Sequence, residues 1–190
     1  MNRIAREESI PSERLKHQIR SARGGSKVIP QFKQFIKDTM KLPPSDVDFL
    51  VVAIDGNCKG HKEQIKKLEK YIKPDHPLKN KVAYAVPDPH IERWYLMDQR
   101  AFKNGLGVDK APSLPAYKCK KAHYKQLLNQ ALIDSNISSL LGGAEYAERI
   151  VANIQNFEIL SHQNSGFQYF IEDLRRLLRM SKRGRVNKKQ

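Results

Sequence analysis

Residues 48–54 read DFLVVAI and residues 81–86 read KVAYAV, and these two short apolar stretches decide the fold. Runs rich in branched residues, with almost no polar interruption, are typical of strands buried on both faces of a parallel sheet. Residues 61–72, which lie between them, place apolar side chains at helical spacing. A strand, a helix and a strand within about 40 residues predict a βαβ unit with a right-handed crossover.

The flanking sequence predicts mostly helices around this unit. The apolar side chains of residues 28–40 recur at helical spacing, whereas residues 14–20 (RLKHQIR) alternate weakly and predict a basic edge strand. Further helices are predicted at 2–9, 90–97, 120–134, 144–154 and 166–180, with a short turn at 98–105. We therefore predict an α/β fold with a small, mostly parallel sheet and a C-terminal helical appendage. The predicted boundaries are 1–98 for the core, 99–180 for the appendage and 181–190 for a basic, disordered tail.

Composition narrows the class of partner. The chain has 190 residues, with 35 Lys and Arg against 20 Asp and Glu, which gives a net charge of +15. Such an excess is typical of proteins that bind polyanions, most often nucleic acid. No apolar run approaches the roughly 20 residues that cross a bilayer, and the N-terminus lacks a signal-peptide pattern, so no membrane partner is expected. Two cysteines are too few for the disulfide framework that is typical of small secreted proteins, so we predict a cytoplasmic location.

Polar side chains follow both predicted strands. Asp55 and Asn57 follow the first strand, and Glu92 lies a few residues beyond the second. Ligands of open α/β sheets bind outside the carboxyl ends of the strands. Because oxygen ligands suit hard divalent cations, the pattern predicts that Asp55, Asn57 and Glu92 bind Mg²⁺ or Mn²⁺. The alternative is that Asp55 caps a turn and Glu92 favours a helix N-terminus without binding a ligand.

The stretches LVVAIDGNCKG and VAYAVPDPHIERWYLMD (50–60 and 82–98) resemble the Toprim-like domain of small proteins related to the overcoming-lysogenisation-defect nucleases. Asp55 matches the first acid of the Asp-x-Asp element, and residues 92–94 match the Glu-x-Trp element. The resemblance covers about residues 1–100 and implies a Toprim- or Rossmann-like sheet. It also implies a Mg²⁺-dependent nuclease with Asp55 and Glu92 as catalytic residues, and an ABC-type ATPase partner in anti-phage defence.

The chain departs from this pattern at two places. Asn57 stands where the second aspartate is expected, and an amide supplies an oxygen without a charge. The family pattern also begins with a strand that ends in a catalytic Glu, whereas this chain starts at what resembles the helix after that strand. These departures keep open a non-catalytic module of the same fold that binds nucleic acid or the ATPase. The sequence does not distinguish DNA from RNA, and it leaves a homo-oligomer open.

Basic residues near the predicted site and in the last helix are candidates for contacting phosphates. They are Arg23, Lys27, Lys59, Arg93, Arg175, Arg176 and Arg179.

Two other kinds of site are weighed beside the nuclease. Cys58, His61, Cys119 and His123 have spacings compatible with a Cys₂His₂ zinc site. A phosphatase with Asp55 as the nucleophile is disfavoured, because it would need an aspartate in place of Asn57.

Overall fold

A computed structural model describes residues 1–41, 43 and 47–186 of the chain. The described chain contains two strands, β1 (Leu50–Ala53) and β2 (Val82–Ala85), and helices precede, separate and follow them in sequence. The helices are α1 (Asn2–Glu7), α2 (Gly25–Thr39), α3 (His61–Glu69), α4 (Glu92–Tyr95), α5 (Gln99–Leu106), α6 (His123–Asp134), α7 (Ala147–Asn153), α8 (Phe157–Gln163) and α9 (Ser165–Val186). Short 3₁₀ helices occupy Ser12–Arg14 and Ala144–Tyr146.

The two strands pair in parallel, with Val52 opposite Tyr84, and α3 connects them. The predicted βαβ unit and the α/β fold with a helical C-terminal part are thus confirmed. All four residues of β2 are buried, as a strand covered on both faces requires. In β1 only Val52 is fully buried, and Val51 keeps 37% of its surface exposed. The prediction of burial on both faces is therefore wrong for β1.

The predicted edge strand at 14–20 is wrong. Arg14 ends a 3₁₀ helix, and residues 15–22 form neither helix nor strand. The 14–20 segment has few apolar side chains, and Ile19 is 86% exposed. Pairing this segment with a sheet would therefore bury almost no apolar surface.

The predicted turn at 98–105 is also wrong, because this segment is helix α5. The Asp98 carboxylate caps the helix by accepting a hydrogen bond from the Ala101 N–H at 2.9 Å. Gly107 ends the helix in the left-handed conformation, which glycine adopts without strain. Helix α8 was not predicted, although the side chain of Asn156 caps its first turn in the same manner.

Helix α9 continues through Val186, so the prediction of a disordered tail is wrong for residues 181–186. Residues 187–190 of that predicted tail lie outside the described residues. Among the helices that the structure describes, none is both long and apolar enough to cross a membrane.

The chain divides into two compact units, and the predicted boundaries at 98 and 180 stay predictions. Unit 1 comprises residues 1–54, 64–85 and 169–190. Its core contains buried side chains from α2 and β2, such as Phe32, Ile36 and Val82. The buried His76 ring contacts the Ile36 carbonyl at 2.9 Å through Nε2 and accepts the Leu78 N–H through Nδ1, which fixes this segment against α2.

Unit 2 comprises residues 55–63 and 86–168, and it contains the residues that follow both strands. Its core is helical, with fully buried side chains from α5, α6 and α7. Helices α5 and α7 pack closely where Gly105 lies against the backbone of Arg149 and Ile150. Phe102 and Ile150 are completely buried on these two helices.

Candidate acidic site

Asp55 lies at the carboxyl end of β1, at the start of the loop of residues 55–60, which we call the β1–α3 loop. Its Oδ1 atom accepts a hydrogen bond from the Ile91 N–H at 3.1 Å, and its side chain is half-buried. The pKa of Asp55 is raised, and burial is the largest cause. The Glu92 carboxylate also raises it, whereas the nearby His90 and the hydrogen bond from the Ile91 N–H lower it. Asp55 is thus a carboxylate held in place by the segment that carries Glu92.

Glu92 is the first residue of α4, directly after the residue that donates to Asp55. The hydroxyl of Tyr95 is affected by both carboxylates. Burial, followed by the charges of Glu92 and Asp55, raises the pKa of Tyr95 to about 12. The charge of Glu92 thus acts on both Asp55 and Tyr95, and we call these three residues the acidic site. The binding of a shared metal ion by Asp55 and Glu92 stays a prediction, and Tyr95 is an addition to the residues that the sequence analysis named.

Asp88 has a structural position beside the acidic site. Its Oδ1 atom accepts hydrogen bonds from the backbone N–H groups of Cys58 at 2.9 Å and Gly60 at 3.4 Å. Its Oδ2 atom accepts the Tyr117 hydroxyl at 2.6 Å. A Cβ atom at Gly56 would overlap the Asp88 carboxylate, so this close approach requires glycine. Asp88 therefore fixes the shape of the β1–α3 loop.

Arg93 follows Glu92 and lies between two aromatic rings. Its guanidinium is 5.4 Å from the centre of the Tyr117 ring and 5.9 Å from that of Tyr124. The Nε atom is buried and has no hydrogen-bond partner among the described residues. Stacking on aromatic faces holds the guanidinium while leaving its N–H donors available for a planar anion. Arg93 is thus a preorganised cation next to the acidic site.

Asn57 and Lys59 lie in the β1–α3 loop, and both are exposed. The Asn57 side chain donates from Nδ2 to the backbone carbonyl of Asp55 at 3.2 Å. Asn57 also has a positive φ of 50°, a conformation that asparagine tolerates better than most residues. The structure therefore gives Asn57 a role in the turn.

Cys58 and Cys119 form a disulfide, with their Cα atoms 5.4 Å apart. The sequence analysis had assigned these residues no bond. Zinc coordination requires thiolates, so the Cys₂His₂ set with His61 and His123 is not available in this bonded state. Because disulfides are rare in a reducing cytoplasm, the bond lends no support to the predicted cytoplasmic location, which stays a prediction.

Trp94 packs into the core of unit 2. Its ring meets that of Phe167 edge to face with centres 5.0 Å apart, and only 7% of its surface is exposed. Trp94 therefore has a packing role in unit 2.

The arginines of α9 lie in unit 1, where they form internal ion pairs. Arg179 contacts Glu8 through two nitrogens at 2.5 and 2.8 Å, and Arg175 contacts Glu7 at 3.0 Å. Arg176 contacts Asp173 and the Asn80 carbonyl, each at 2.9 Å. Phosphate binding by these arginines would compete with existing partners.

Arg23 and Lys27 also lie in unit 1, at the start of α2. Both are exposed, and Arg23 has a positive φ of 51° just before Gly24, the N-cap residue of the helix. Lys27 donates its backbone N–H to the Gly24 carbonyl at 3.0 Å. Arg23 and Lys27, two of the predicted phosphate contacts, therefore lie at an exposed helix N-terminus. Their role in binding stays a prediction.

The capacity of the acidic site for a metal follows from its donor atoms. In the part of the chain that the structure describes, no group of three or more His, Cys, Asp or Glu side chains is arranged to hold a metal ion. Mg²⁺ commonly binds through only one or two protein carboxylates, with water and substrate phosphate completing its octahedron. Burial and the charge of the Glu92 carboxylate raise the pKa of Asp55, and a bound cation would offset the repulsion between the two carboxylates.

Comparison with known proteins adds no further assignment. No protein-family model, curated protein or solved structure matches the chain.

Sequence reasoning missed the structural roles of Asp88 and Tyr117 and the proximity of Tyr95 to both carboxylates. Asp88 follows a strand and stands between two prolines. An aspartate in such a place is ambiguous in sequence, because aspartate is common both in turns and among ligand-binding residues. Tyr117 is 29 residues from Asp88, in a segment without periodicity, and no local pattern connects them.

Proposed function

We propose that the protein is a Toprim-like, divalent-metal-dependent nuclease or nuclease subunit that acts on DNA or RNA at the acidic site. The observation that carries the proposal is the Asp55 carboxylate, half-buried after β1 and bonded to the Ile91 N–H beside Glu92. Its position agrees with the rule that ligands of parallel sheets bind at the carboxyl ends of the strands. The net charge of +15 favours a polyanionic substrate.

The proposed roles follow from the contacts of each residue. Asp55 and Glu92 would hold Mg²⁺ or Mn²⁺, which supplies charge stabilisation for phosphodiester cleavage when bound. Arg93, fixed between Tyr117 and Tyr124, donates to a phosphate oxygen of the substrate. Lys59 adds positive charge on the β1–α3 loop, while Asn57 and Asp88 maintain the shape of that loop.

An ABC-type ATPase is the protein partner in this proposal, with anti-phage defence as the setting. Both come from the resemblance of residues 50–60 and 82–98 to the Toprim-like family. The ion pairs of Arg175 and Arg179 leave Arg93 as the better supported of the proposed phosphate contacts.

The test is cleavage of single- and double-stranded DNA and RNA with Mg²⁺ or Mn²⁺. The Asp55→Asn variant is expected to lose about 100-fold in rate, the effect typical of disturbing a metal site. Asp109→Asn is the matched control, because Asp109 is an exposed carboxylate of the same unit. Equal metal-dependent activity of wild type and Asp55→Asn would refute the assignment.

A second function is a module that binds nucleic acid without cleaving it. It is favoured by the finding that the described residues contain no metal-ready group of three ligating side chains. In that case Asp55→Asn would bind an oligonucleotide as tightly as wild type, Arg93→Gln would bind it more weakly, and neither metal would produce cleavage.

A further inference from the structure

The segment of residues 108–121, which we call the strap, connects α5 to α6 without any helix or strand. None of its residues is fully buried. The described structure gives the strap five hydrogen bonds. Three are from Gln99 Nε2 to the Pro112 carbonyl at 3.5 Å, from the Tyr117 hydroxyl to Asp88, and from the Lys118 N–H to the Tyr124 hydroxyl at 3.0 Å. The other two, at its ends, are from the Val108 N–H to the Lys103 carbonyl and from the His123 N–H to the Lys120 carbonyl. Few bonds and little buried surface characterise segments that open at low free-energy cost.

The disulfide is the covalent tie that restrains the strap. It joins Cys119 to Cys58, in the β1–α3 loop, across 61 residues of sequence. Tyr117, two residues before Cys119, contacts both Asp88 and the Arg93 guanidinium. Holding Cys119 against the loop therefore also holds Tyr117 over Arg93.

Both cysteines are exposed residues in the described structure. Exposed disulfides are the kind that is labile or regulatory in proteins, whereas buried ones resist reduction. The Tyr117 hydroxyl stays protonated at physiological pH, since burial and the hydrogen bond to Asp88 raise its pKa to about 12. The Tyr117 hydroxyl therefore does not titrate in this range.

We propose that Cys58 and Cys119 form a redox-responsive site whose reduction releases the strap and frees Tyr117 from Asp88 and Arg93. A dithiol reductant attacks one sulfur of the bond, forms a mixed disulfide and then closes its own disulfide. Two electrons and two protons pass to the protein, leaving two cysteine thiols. The oxidised state holds Tyr117 over one face of the Arg93 guanidinium, and the reduced state frees that face. The proposal stands on the geometry of unit 2 and does not require nuclease activity.

The test is limited trypsin digestion of the full chain, oxidised or reduced with dithiothreitol. The strap contains Lys110, Lys118, Lys120 and Lys121, and cleavage there should be at least about tenfold faster in the reduced chain, because proteolysis follows the population of the open segment. Lys16, exposed in the segment 15–22 outside helix and strand, is the internal control and should be cut at one rate in both states.

The Cys58→Ser/Cys119→Ser variant should be cut in the strap at the reduced rate, with or without dithiothreitol. Mass spectrometry after alkylation under denaturing conditions counts the thiols, and the air-oxidised wild type should show none. Two alkylated cysteines in that sample, or equal strap cleavage in oxidised and reduced wild type, would overturn the proposal. Because neither measurement involves substrate cleavage, failure of the proposed nuclease activity would leave this result intact.

Discussion

Replacing Gly105 by alanine sets helix propensity against packing, and the structure predicts that packing prevails. Gly105 lies within α5, where alanine is favoured over glycine by about 1 kcal/mol. A Cβ atom at this position would lie 2.7 Å from the Arg149 carbonyl oxygen and 2.9 Å from the Ile150 Cα atom of α7. Both are backbone atoms, so no side-chain rotation relieves the overlap.

The size of the effect follows from the displacement required. Ordinary contact begins at 3.4 Å, so α5 and α7 must separate locally by about 0.7 Å from the present 2.7 Å. Phe102 and Ile150 are fully buried on these helices, and separating them loosens the core of unit 2. Overpacking of this kind costs about 1–3 kcal/mol. After subtraction of the propensity gain of about 1 kcal/mol, we expect Gly105→Ala to lower the free energy of unfolding by up to about 2 kcal/mol, or up to about 6 °C in Tm.

The assay is urea denaturation followed by circular dichroism, with thermal melting as a second measurement. Gly25→Ala is the control, because Gly25 begins α2 and no heavy atom lies within 4 Å of its Cβ position. That variant should equal wild type or gain up to about 1 kcal/mol. If Gly105→Ala is about 1 kcal/mol more stable than wild type, which is the gain that helix propensity alone would give, the close α5–α7 packing is incorrect.

Three further predictions concern charge and the disulfide. Asp55→Asn should raise Tm at pH 7 without metal, because burial and the neighbouring carboxylate raise the pKa of Asp55 and its contribution to stability falls as pH rises through that value. Mn²⁺ should then raise Tm of wild type only, and equal shifts in differential scanning fluorimetry would exclude Asp55 as a ligand. The hydrogen bond from Arg179 lowers the pKa of Glu8 below its ordinary 4.5, so its stabilising effect is complete above that value and disappears as pH falls through the lowered one. Glu8→Gln should make Tm less dependent on pH below about 4.5. If Tm of the variant and Tm of wild type fall equally in this pH range, the Glu8–Arg179 ion pair is contradicted. Breaking the Cys58–Cys119 bond, which closes 61 residues, should lower the free energy of unfolding by about 4 kcal/mol on the chain-entropy estimate. The cysteine-to-serine double variant should match reduced wild type in guanidinium denaturation, and a loss under about 1 kcal/mol would contradict that estimate.

The βαβ unit could be predicted because its signals are local. Apolar runs at 48–54 and 81–86 require burial, and the amphipathic helix between them has one direction in which to pack. The same reasoning underlies the prediction that Asp55 and Glu92 meet at one edge of the sheet, because parallel strands end together. Their shared site stays a prediction.

The errors have physical causes. Helix α5 has capping residues at both ends, Asp98 and Gly107, and this pair of signals predicts a helix between them. The 14–20 segment alternates as a strand does, but alternation specifies a strand only where a partner and a core exist. The disulfide and the Tyr117–Asp88 hydrogen bond join positions 61 and 29 residues apart, so they depend on tertiary folding.

The interleaving of the two units limits how the protein can be dissected. The chain passes between them four times, and the acidic site draws Asp55 from the short piece 55–63 and Glu92 from the long piece 86–168. A recombinant fragment of residues 86–168 would retain Arg93 and lose half of the carboxylate pair. Grafting the site onto another scaffold would likewise require two separate insertions in a fixed order. Domain shuffling by a single cut and splice therefore cannot transfer this site intact.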